Sequence, residues 1–338
     1  MTEASSRADQ IQAFLSQSHW HNWERTPLAG DASNRRYERL LGPDAASVVL
    51  MDADPKRGED VVAFVQIAEF LRAQGLSAPK ILAQDPDIGV LIIEDLGDGL
   101  FARMFAHDPS MQEPLYARAT DVLVALHQVP PPALDPLGPR EMADMTRIAF
   151  EKYRSPDQPA PSPKILDLFT DQLEDILRHT VTGDMVLVQR DYHAENMLWL
   201  PDRTGIAQVG LLDFQDAKIG HRAYDLVSML QDARRDVPPE IEEQMVDRYI
   251  TATGVDGAEF RRAYAVLGVQ RNLRILGVFA RLSREYGKPH YIDFVPRVWE
   301  HVRRGLNHPA LATIAETVLA ELPEPEPAFL QYLKGNTL

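Results

Sequence analysis

The stretch Val186-Leu-Val-Gln-Arg-Asp-Tyr-His-Ala-Glu-Asn-Met-Leu-Trp-Leu200 constrains the fold of this chain more than any other. An apolar run enters a polar loop, and a second apolar run leaves it, which reads as strand, functional turn, strand. Within the loop Asp191 precedes Asn196 by five positions. Pro201-Asp-Arg-Thr-Gly205 then predicts a hairpin turn, and Val209-Gly-Leu-Leu-Asp-Phe214 a strand that delivers Asp213 at its end. An isolated Asp and Asn at that spacing is ordinary turn chemistry. Here the flanking strands and the later strand-end carboxylate predict that Asp191, Asn196 and Asp213 converge at one end of a small sheet. Trp199 and Phe214 follow the strand pattern and read as core.

The rest of the chain divides into two regions. From Trp23 to Glu94 the pattern predicts short strands around one helix. Arg25–Gly30 and Tyr37–Leu41 flank the polar loop Asp31-Ala-Ser-Asn-Arg-Arg36, and Gly42-Pro43-Asp44 marks a turn before the buried strand Val48–Met51. Asp60–Gln74 is a helix with Val61, Phe64, Val65, Ala68 and Leu71 on one face and Gly75 as its stop. Pro79–Ala83 and Val90–Ile93 are two further strands. After the Gly-rich, acidic break Glu94-Asp-Leu-Gly-Asp-Gly99 the periodicity is mainly helical: Met111–Gln128, Arg140–Tyr153, Ile165–His179, Glu240–Thr253, Glu259–Tyr286, Ile292–Leu306 and Ala310–Leu322. The Pro-rich stretches Pro130–Pro139 and Pro156–Pro163 read as exposed connectors. The tail Pro323–Pro327 reads as extended, ahead of an apolar contact from Phe329 or Leu333.

Several function classes fall away on composition. The chain carries 50 Asp+Glu against 35 Lys+Arg, a formal charge of −15, which argues against generic nucleic-acid binding through phosphate neutralisation. It has no cysteine, which excludes disulfides, thiolate zinc sites and cysteine nucleophiles. His193-Ala-Glu195 therefore cannot be the H-x-E of a zinc deaminase, whose metal site needs cysteines. No G-x-x-x-x-G-K-[ST], H-E-x-x-H or G-x-S-x-G occurs. The first residues lack the apolar core of a signal peptide, and no run is long enough to span a bilayer, so the expected address is the cytoplasm, with no membrane and no obligate protein partner.

The loop residues fit phosphoryl transfer. One carboxylate orients the attacking hydroxyl, while an amide oxygen and a second carboxylate hold Mg²⁺ against a triphosphate. The spacing from Asp191 through Asn196 to Asp213 also matches the D-x-x-x-x-N loop and following metal-binding Asp of kinases. Over nearly its whole length the chain resembles the aminoglycoside phosphotransferase and choline kinase group of small-molecule kinases. The resemblance implies a two-lobed, protein-kinase-like α+β fold: an ATP-binding lobe at 1–94, a hinge at 95–98 and a helical lobe at 99–338. It implies Asp191 as the catalytic aspartate and Asn196 and Asp213 as Mg²⁺ ligands. Ala32, Ser33, Asn34, Arg35 and Arg36 fall in the phosphate-covering loop, and Glu94 and Leu96 in the adenine-binding segment. Tyr224-Asp225-Leu226 resembles the Asp-Leu pair that braces the catalytic loop.

Narrower motifs are Gly30-Asp-Ala-Ser-Asn-Arg-Arg-Tyr37, Leu50-Met-Asp-Ala53, Ile93-Glu-Asp-Leu-Gly97, Asp191-Tyr-His-Ala-Glu-Asn196 and Leu212-Asp-Phe-Gln-Asp216. They resemble bacterial anomeric sugar kinases, which phosphorylate N-acetylmuramate and N-acetylglucosamine at C1 in cell-wall recycling. His193 and Glu195 then become candidates for sugar-hydroxyl contacts. Arg271 and Arg274, in the polar patch Gln270-Arg-Asn-Leu-Arg274, become candidates for the carboxylate of N-acetylmuramate. The chain also departs from the kinase pattern. The loop after Gly30 has no second glycine, so Arg35 or Arg36 and the backbone of 32–34 must meet the phosphates. Met51 stands where kinases place a phosphate-binding lysine. Glu69 reads as an ordinary exposed helix residue, and Lys56 and Lys80 as surface cations. An aminoglycoside acceptor, a nucleotide-binding pseudokinase and a non-catalytic interaction protein are the alternatives.

Overall fold

Two-residue alternation in the first part of the chain produces an antiparallel sheet. The computed structural model describes residues 6–28, 35–155, 157 and 159–335. Ala32, Ser33 and Asn34 of the expected phosphate loop lie outside the described residues, as do the first five residues and Pro156 at the head of the second Pro-rich connector. The chain divides into two compact units, Met1–Met111 with Glu195–Asp216, and Gln112–Ala194 with Ala217–Leu338.

In the first unit β1 (Glu24–Pro27), β2 (Arg36–Leu41), β3 (Ser47–Asp52), β4 (Ile81–Asp85) and β5 (Val90–Glu94) form one sheet in the order β1-β2-β3-β5-β4, all pairs antiparallel. Directly opposed residues share a face. One face therefore carries Leu40, Val48, Leu50, Val90 and Ile92, and these bury Ile11 and Leu15 of helix α1 (Arg7–Ser16). Each such side chain contributes about 1.5–3 kcal/mol on burial. The first helix is a finding that the strand reading from Trp23 onward omitted. Its signals are a capping box between Ser6 and Asp9 and the i, i+4 pair Ile11/Leu15. The opposite sheet face carries Tyr37, Arg39, Val49, Met51, Leu91 and Ile93. Helix α2 (Val61–Ala73) is capped by Asp60, whose side chain accepts from Val62 N–H.

The hairpin Met197–Trp199/Val209–Leu211 completes this unit. Leu211 N–H donates to Ser77 O, and Trp199 N–H to Gly99 O. Phe214 is fully buried and stacks on Phe64 of α2, ring centroids 4.9 Å apart, while Trp199 is only half-buried.

The second unit is mainly helical. The strands Met185–Val188 and Lys218–His221 pair antiparallel, and the 30-residue helix Gly257–Tyr286 runs through the helical core. The helix expected over Arg140–Tyr153 is broken into Pro139–Met145 and Arg147–Lys152. At the break Thr146 Oγ1 donates back to Ala143 O. Gly277 of the long helix lies so close that a Cβ there would fall 2.4 Å from the backbone of Ile148, so only glycine permits this crossing. Phe329 and Leu333, in the helix Pro327–Leu333, are both buried. Among the described residues no helix is long and apolar enough to cross a membrane.

Candidate active site

Asn196 and Asp213 belong to the first unit and are brought together by the hairpin. Asn196 O accepts from Leu212 N–H at 2.9 Å, and the Asn196 amide lies 3.4 Å from Asp213 Oδ2. Asp213 Oδ1 accepts from Gln215 Nε2 at 2.7 Å. Asp213 has φ 55°, a left-handed conformation uncommon away from glycine, which ends the strand and turns the carboxylate. Among the described residues no group of three or more His, Cys, Asp or Glu side chains could cage a metal. A single carboxylate beside an amide is instead the donor set of a cation that draws its other ligands from substrate phosphates and water.

Asp191 belongs to the second unit, where its neighbourhood is built from distant sequence. Arg190, immediately before it, also has positive φ, at 73°. Buried Asp225 accepts from the backbone N–H groups of Gln189 (2.7 Å) and Arg190 (2.9 Å). Burial pushes the Asp225 carboxyl up to about 7, against the pull of those two N–H groups and Arg271. Ser228 Oγ donates to Arg190 O at 3.0 Å and accepts from Arg271 Nη2 at 2.8 Å. Arg271 in turn stands 4.0 Å from Asp191 Oδ1. The Asp-Leu pair expected to brace the loop thus does so, through Asp225. Ser228, which carried no sequence signal beyond its place on the same helix, ties Arg271 to it.

His193 is buried, and Arg234 Nη1 lies 3.3 Å from its Nε2. A guanidinium can only donate, so the neutral ring carries its proton on Nδ1. Burial pushes the imidazole down to about 4, with Asp232 raising it and Arg234 lowering it. Among the described residues its Nδ1 meets no hydrogen-bond partner, a donor that calls for water or ligand. Glu195 is half-buried at the point where the chain passes into the first unit. Arg274 lines a surface pocket of about 350 Å³ with Asp144, Arg147, Glu151 and Arg281, whereas Arg271 is the arginine brought to Asp191.

In the first unit Glu94 is an ion-pair centre that sequence reading missed. Its Oε1 takes Arg203 at 2.6 Å, and its Oε2 takes Arg72 at 3.4 Å and Lys80 N–H at 3.1 Å. Arg203, in the hairpin turn, also donates to Ser77 Oγ at 2.6 Å. Segment 95–98 is pinned to β2 because Arg39 pairs with Asp95 at 2.6 Å and Asp98 at 3.0 Å. Burial works against the charge of Asp95, yet Arg39 and Gly97 N–H hold its carboxyl below the usual range. Leu96 packs with Leu198 and Leu200, flanked by Leu100 and Leu212. Of the loop arginines, Arg35 is buried and Arg36 exposed.

The model of the phosphotransferase enzyme family APH matches residues 24–265, well over half of the chain. The chain belongs to this phosphotransferase family. A relative from Caulobacter vibrioides named N-acetylmuramate/N-acetylglucosamine kinase is 38% identical, over 93% of this chain and 96% of its own. One of the same name from Pseudomonas aeruginosa is 32% identical, over 89% of both chains. The fold agrees. A choline/ethanolamine kinase family protein from Mesorhizobium loti superposes with a TM-score of 0.62, at 14% identity, over 93% of this phosphotransferase and 99% of its own chain. The kinase-like α+β fold expected from the motifs is therefore present, and the chain is a kinase.

Proposed function

We propose that this phosphotransferase uses ATP to phosphorylate the anomeric C1 hydroxyl of N-acetylmuramate and N-acetylglucosamine, in the cytoplasm, as a step of cell-wall recycling. The observation that carries the substrate is the shared name of two relatives that align with about nine-tenths of the chain. In this reading residues 1–94 form the ATP-binding lobe, 95–98 the hinge, and 99–338 the helical lobe with the catalytic loop and the acceptor pocket. The packing of 195–216 with the sheet unit supports giving Asn196 and Asp213 to the nucleotide side.

Asp191 accepts the proton of the C1 hydroxyl and aims its oxygen in line with the γ-phosphorus. The new O–P bond forms as the bond to the β–γ bridging oxygen breaks, and ADP leaves with that electron pair. No covalent enzyme intermediate is needed. The anchored backbone at Arg190 supports this role, because it fixes the residue before Asp191 from both sides. Asn196 through its amide oxygen and Asp213 through its carboxylate would hold Mg²⁺. Both side chains carry a hard oxygen donor, and Asn196 Nδ2 donating to Asp213 Oδ2 at 3.4 Å supports their lying side by side. When bound, the ion neutralises charge on the β- and γ-phosphates. The backbone of 32–34 with Arg35 and Arg36 covers the phosphates, and Glu94 and Leu96 flank the base. His193, Glu195, Arg271 and Arg274 are the acceptor contacts, and the unmet Nδ1–H of His193 is the best supported donor to a sugar oxygen.

An ADP-release assay with N-acetylmuramate, N-acetylglucosamine and kanamycin as acceptors tests this reading. Turnover of the two amino sugars is expected, with Asp191→Ala slowed by about 10²–10⁴-fold. Turnover of kanamycin alone overturns the substrate, and unchanged turnover in Asp191→Ala overturns the mechanism.

A further inference from the structure

The sheet leaves one problem open. The strand position from which a lysine would reach the phosphates holds Met51, which is fully buried and uncharged. Lys56 and Lys80 are both exposed, and so is Glu69 on α2. None of these supplies a buried cation beside Asp213.

Strand register identifies another side chain. Met51 stands directly opposite Tyr37 in the β2/β3 pairing, so both project from the same face of the sheet. Arg35 lies two residues before Tyr37, immediately ahead of β2, where period-two alternation puts it in register with Tyr37, and its guanidinium acts on the Tyr37 phenol. It therefore comes off the Met51 face, one residue pair beyond Met51. Arg36 alternates to the other face and is exposed. Arg35 is only 8% exposed, and its Nε donates to Glu59 Oε2 at 2.7 Å. Glu59 is itself largely buried, with 13% of its side chain exposed.

One ring contact and one electrostatic influence tie this pair to the aspartate. Glu59 immediately precedes the cap of α2, and Phe64 of that helix stacks on Phe214, the neighbour of Asp213. Tyr37 is sensitive to both sides of the cluster. Burial pushes its phenol up to about 12, Arg35 pulls it down, and Asp213 pushes it further up.

A buried ion pair carries a desolvation cost that attraction alone seldom offsets, so this pair is poorly explained as a device for stability. A guanidinium has two hydrogen-bonding edges. Glu59 meets the Nε edge, and the Nη1/Nη2 edge is the fork that suits phosphate oxygens. We propose that Arg35 stands in for the absent strand lysine on the nucleotide's triphosphate, and that Glu59 and Tyr37 are positioning residues that aim its guanidinium from the Met51 face of the sheet. This deepens the reading above and rests on ATP as the phosphoryl donor.

Affinities for Mg·ATP and for AMP, measured by calorimetry on the wild type, Arg35→Ala, Arg35→Lys, Glu59→Gln and the Arg35→Ala/Glu59→Gln double variant, test it. AMP lacks the β- and γ-phosphates, so it reports the nucleoside contacts alone. Arg35→Ala is expected to weaken Mg·ATP by about 10–100-fold and AMP by less than about twofold. Glu59→Gln should weaken Mg·ATP by roughly 3–10-fold with the same selectivity, and add nothing to Arg35→Ala, because Glu59 acts through that arginine. Arg35→Lys keeps a buried cation without the fork, and its intermediate loss carries the test if the alanine variant fails to fold. Equal weakening of ATP and AMP, or additive losses in the double variant, assigns the pair to structure and overturns the proposal. A wild type that binds neither nucleotide overturns both readings. A wild type that turns over while Arg35→Ala keeps the ATP-to-AMP ratio overturns this one alone.

Discussion

Arg190, which precedes Asp191, and Asp213 both take left-handed backbone conformations, at φ 73° and 55°, yet the chain supports them differently. Such a conformation costs roughly 1–3 kcal/mol away from glycine and persists only where its surroundings impose it. At Arg190 both backbone groups are held from a distance: its N–H by Asp225, its carbonyl by Ser228, with Arg271 behind Ser228. These partners come from the helices Tyr224–Leu230 and Gly257–Tyr286, and Asp225 is fully buried. At Asp213 the side chain meets near neighbours, Asn196 across the hairpin at 3.4 Å and Gln215 two residues on at 2.7 Å. In the proposed mechanism the aspartate that aims the hydroxyl follows a residue held by a buried network, and the one that takes up the cation bears hydrogen bonds that a cation can replace. On that reading rigidity lies where orientation governs the rate, and adaptability where partners change.

This contrast breaks most directly at Asp225. Asp225→Asn keeps the shape but turns one acceptor into a donor facing a backbone N–H. Turnover should fall by about 10²-fold, as displaced catalytic groups do, and stability to urea by about 1–3 kcal/mol, with the KM for ATP little changed. A raised KM at constant turnover would show that Asp225 does not act through the Asp191 loop. Gln215→Ala is the complementary probe on the adaptable side. It should raise the KM for Mg·ATP a few-fold and cost no more than about 1 kcal/mol of stability.

The second unit also carries a pH signature. Burial lowers His193, His221 and His301 to about 4 and His127 to about 3. A lowered imidazole contributes stability that is present above its ordinary value near 6.5 and is lost as pH falls through the folded value. Asp225, raised to about 7, has the opposite sign: its contribution is present below the ordinary carboxylate range and is lost as pH rises through 7. Four groups outweigh one, at about 1.4 kcal/mol per pKa unit. Melting curves should therefore show a lower Tm near pH 5 than near pH 7. An equal or higher Tm at the acid end would place these imidazoles in solvent. This is the least local of the expected effects.

How much of this was legible before folding depends on the range of the interaction. Asp191, Asn196 and Asp213 could be read because apolar strands and polar loops alternate within a few residues of them. Asp225 could be read from its place in Tyr224-Asp225-Leu226. Glu59 could not, because its link to Arg35 spans 24 positions and depends on strand register. Arg203 likewise read only as part of a turn, since Ser77 and Glu94, its partners, lie more than a hundred residues earlier. Arg271 stood out as polar in an apolar helix, but its bond to Ser228 appears only when the long helix packs against Tyr224–Leu230. The break at Thr146 was hidden for the same reason, because the glycine that meets it lies on another helix.

The central claim is transfer of the γ-phosphoryl group of ATP to an anomeric oxygen, and the position of the phosphate in the product tests it most directly. Wild-type enzyme incubated with N-acetylmuramate and ATP should give a sugar whose anomeric proton couples to phosphorus in a ¹H–³¹P NMR correlation. Coupling to any other sugar position, or ADP release with no phosphorylated sugar, would contradict it.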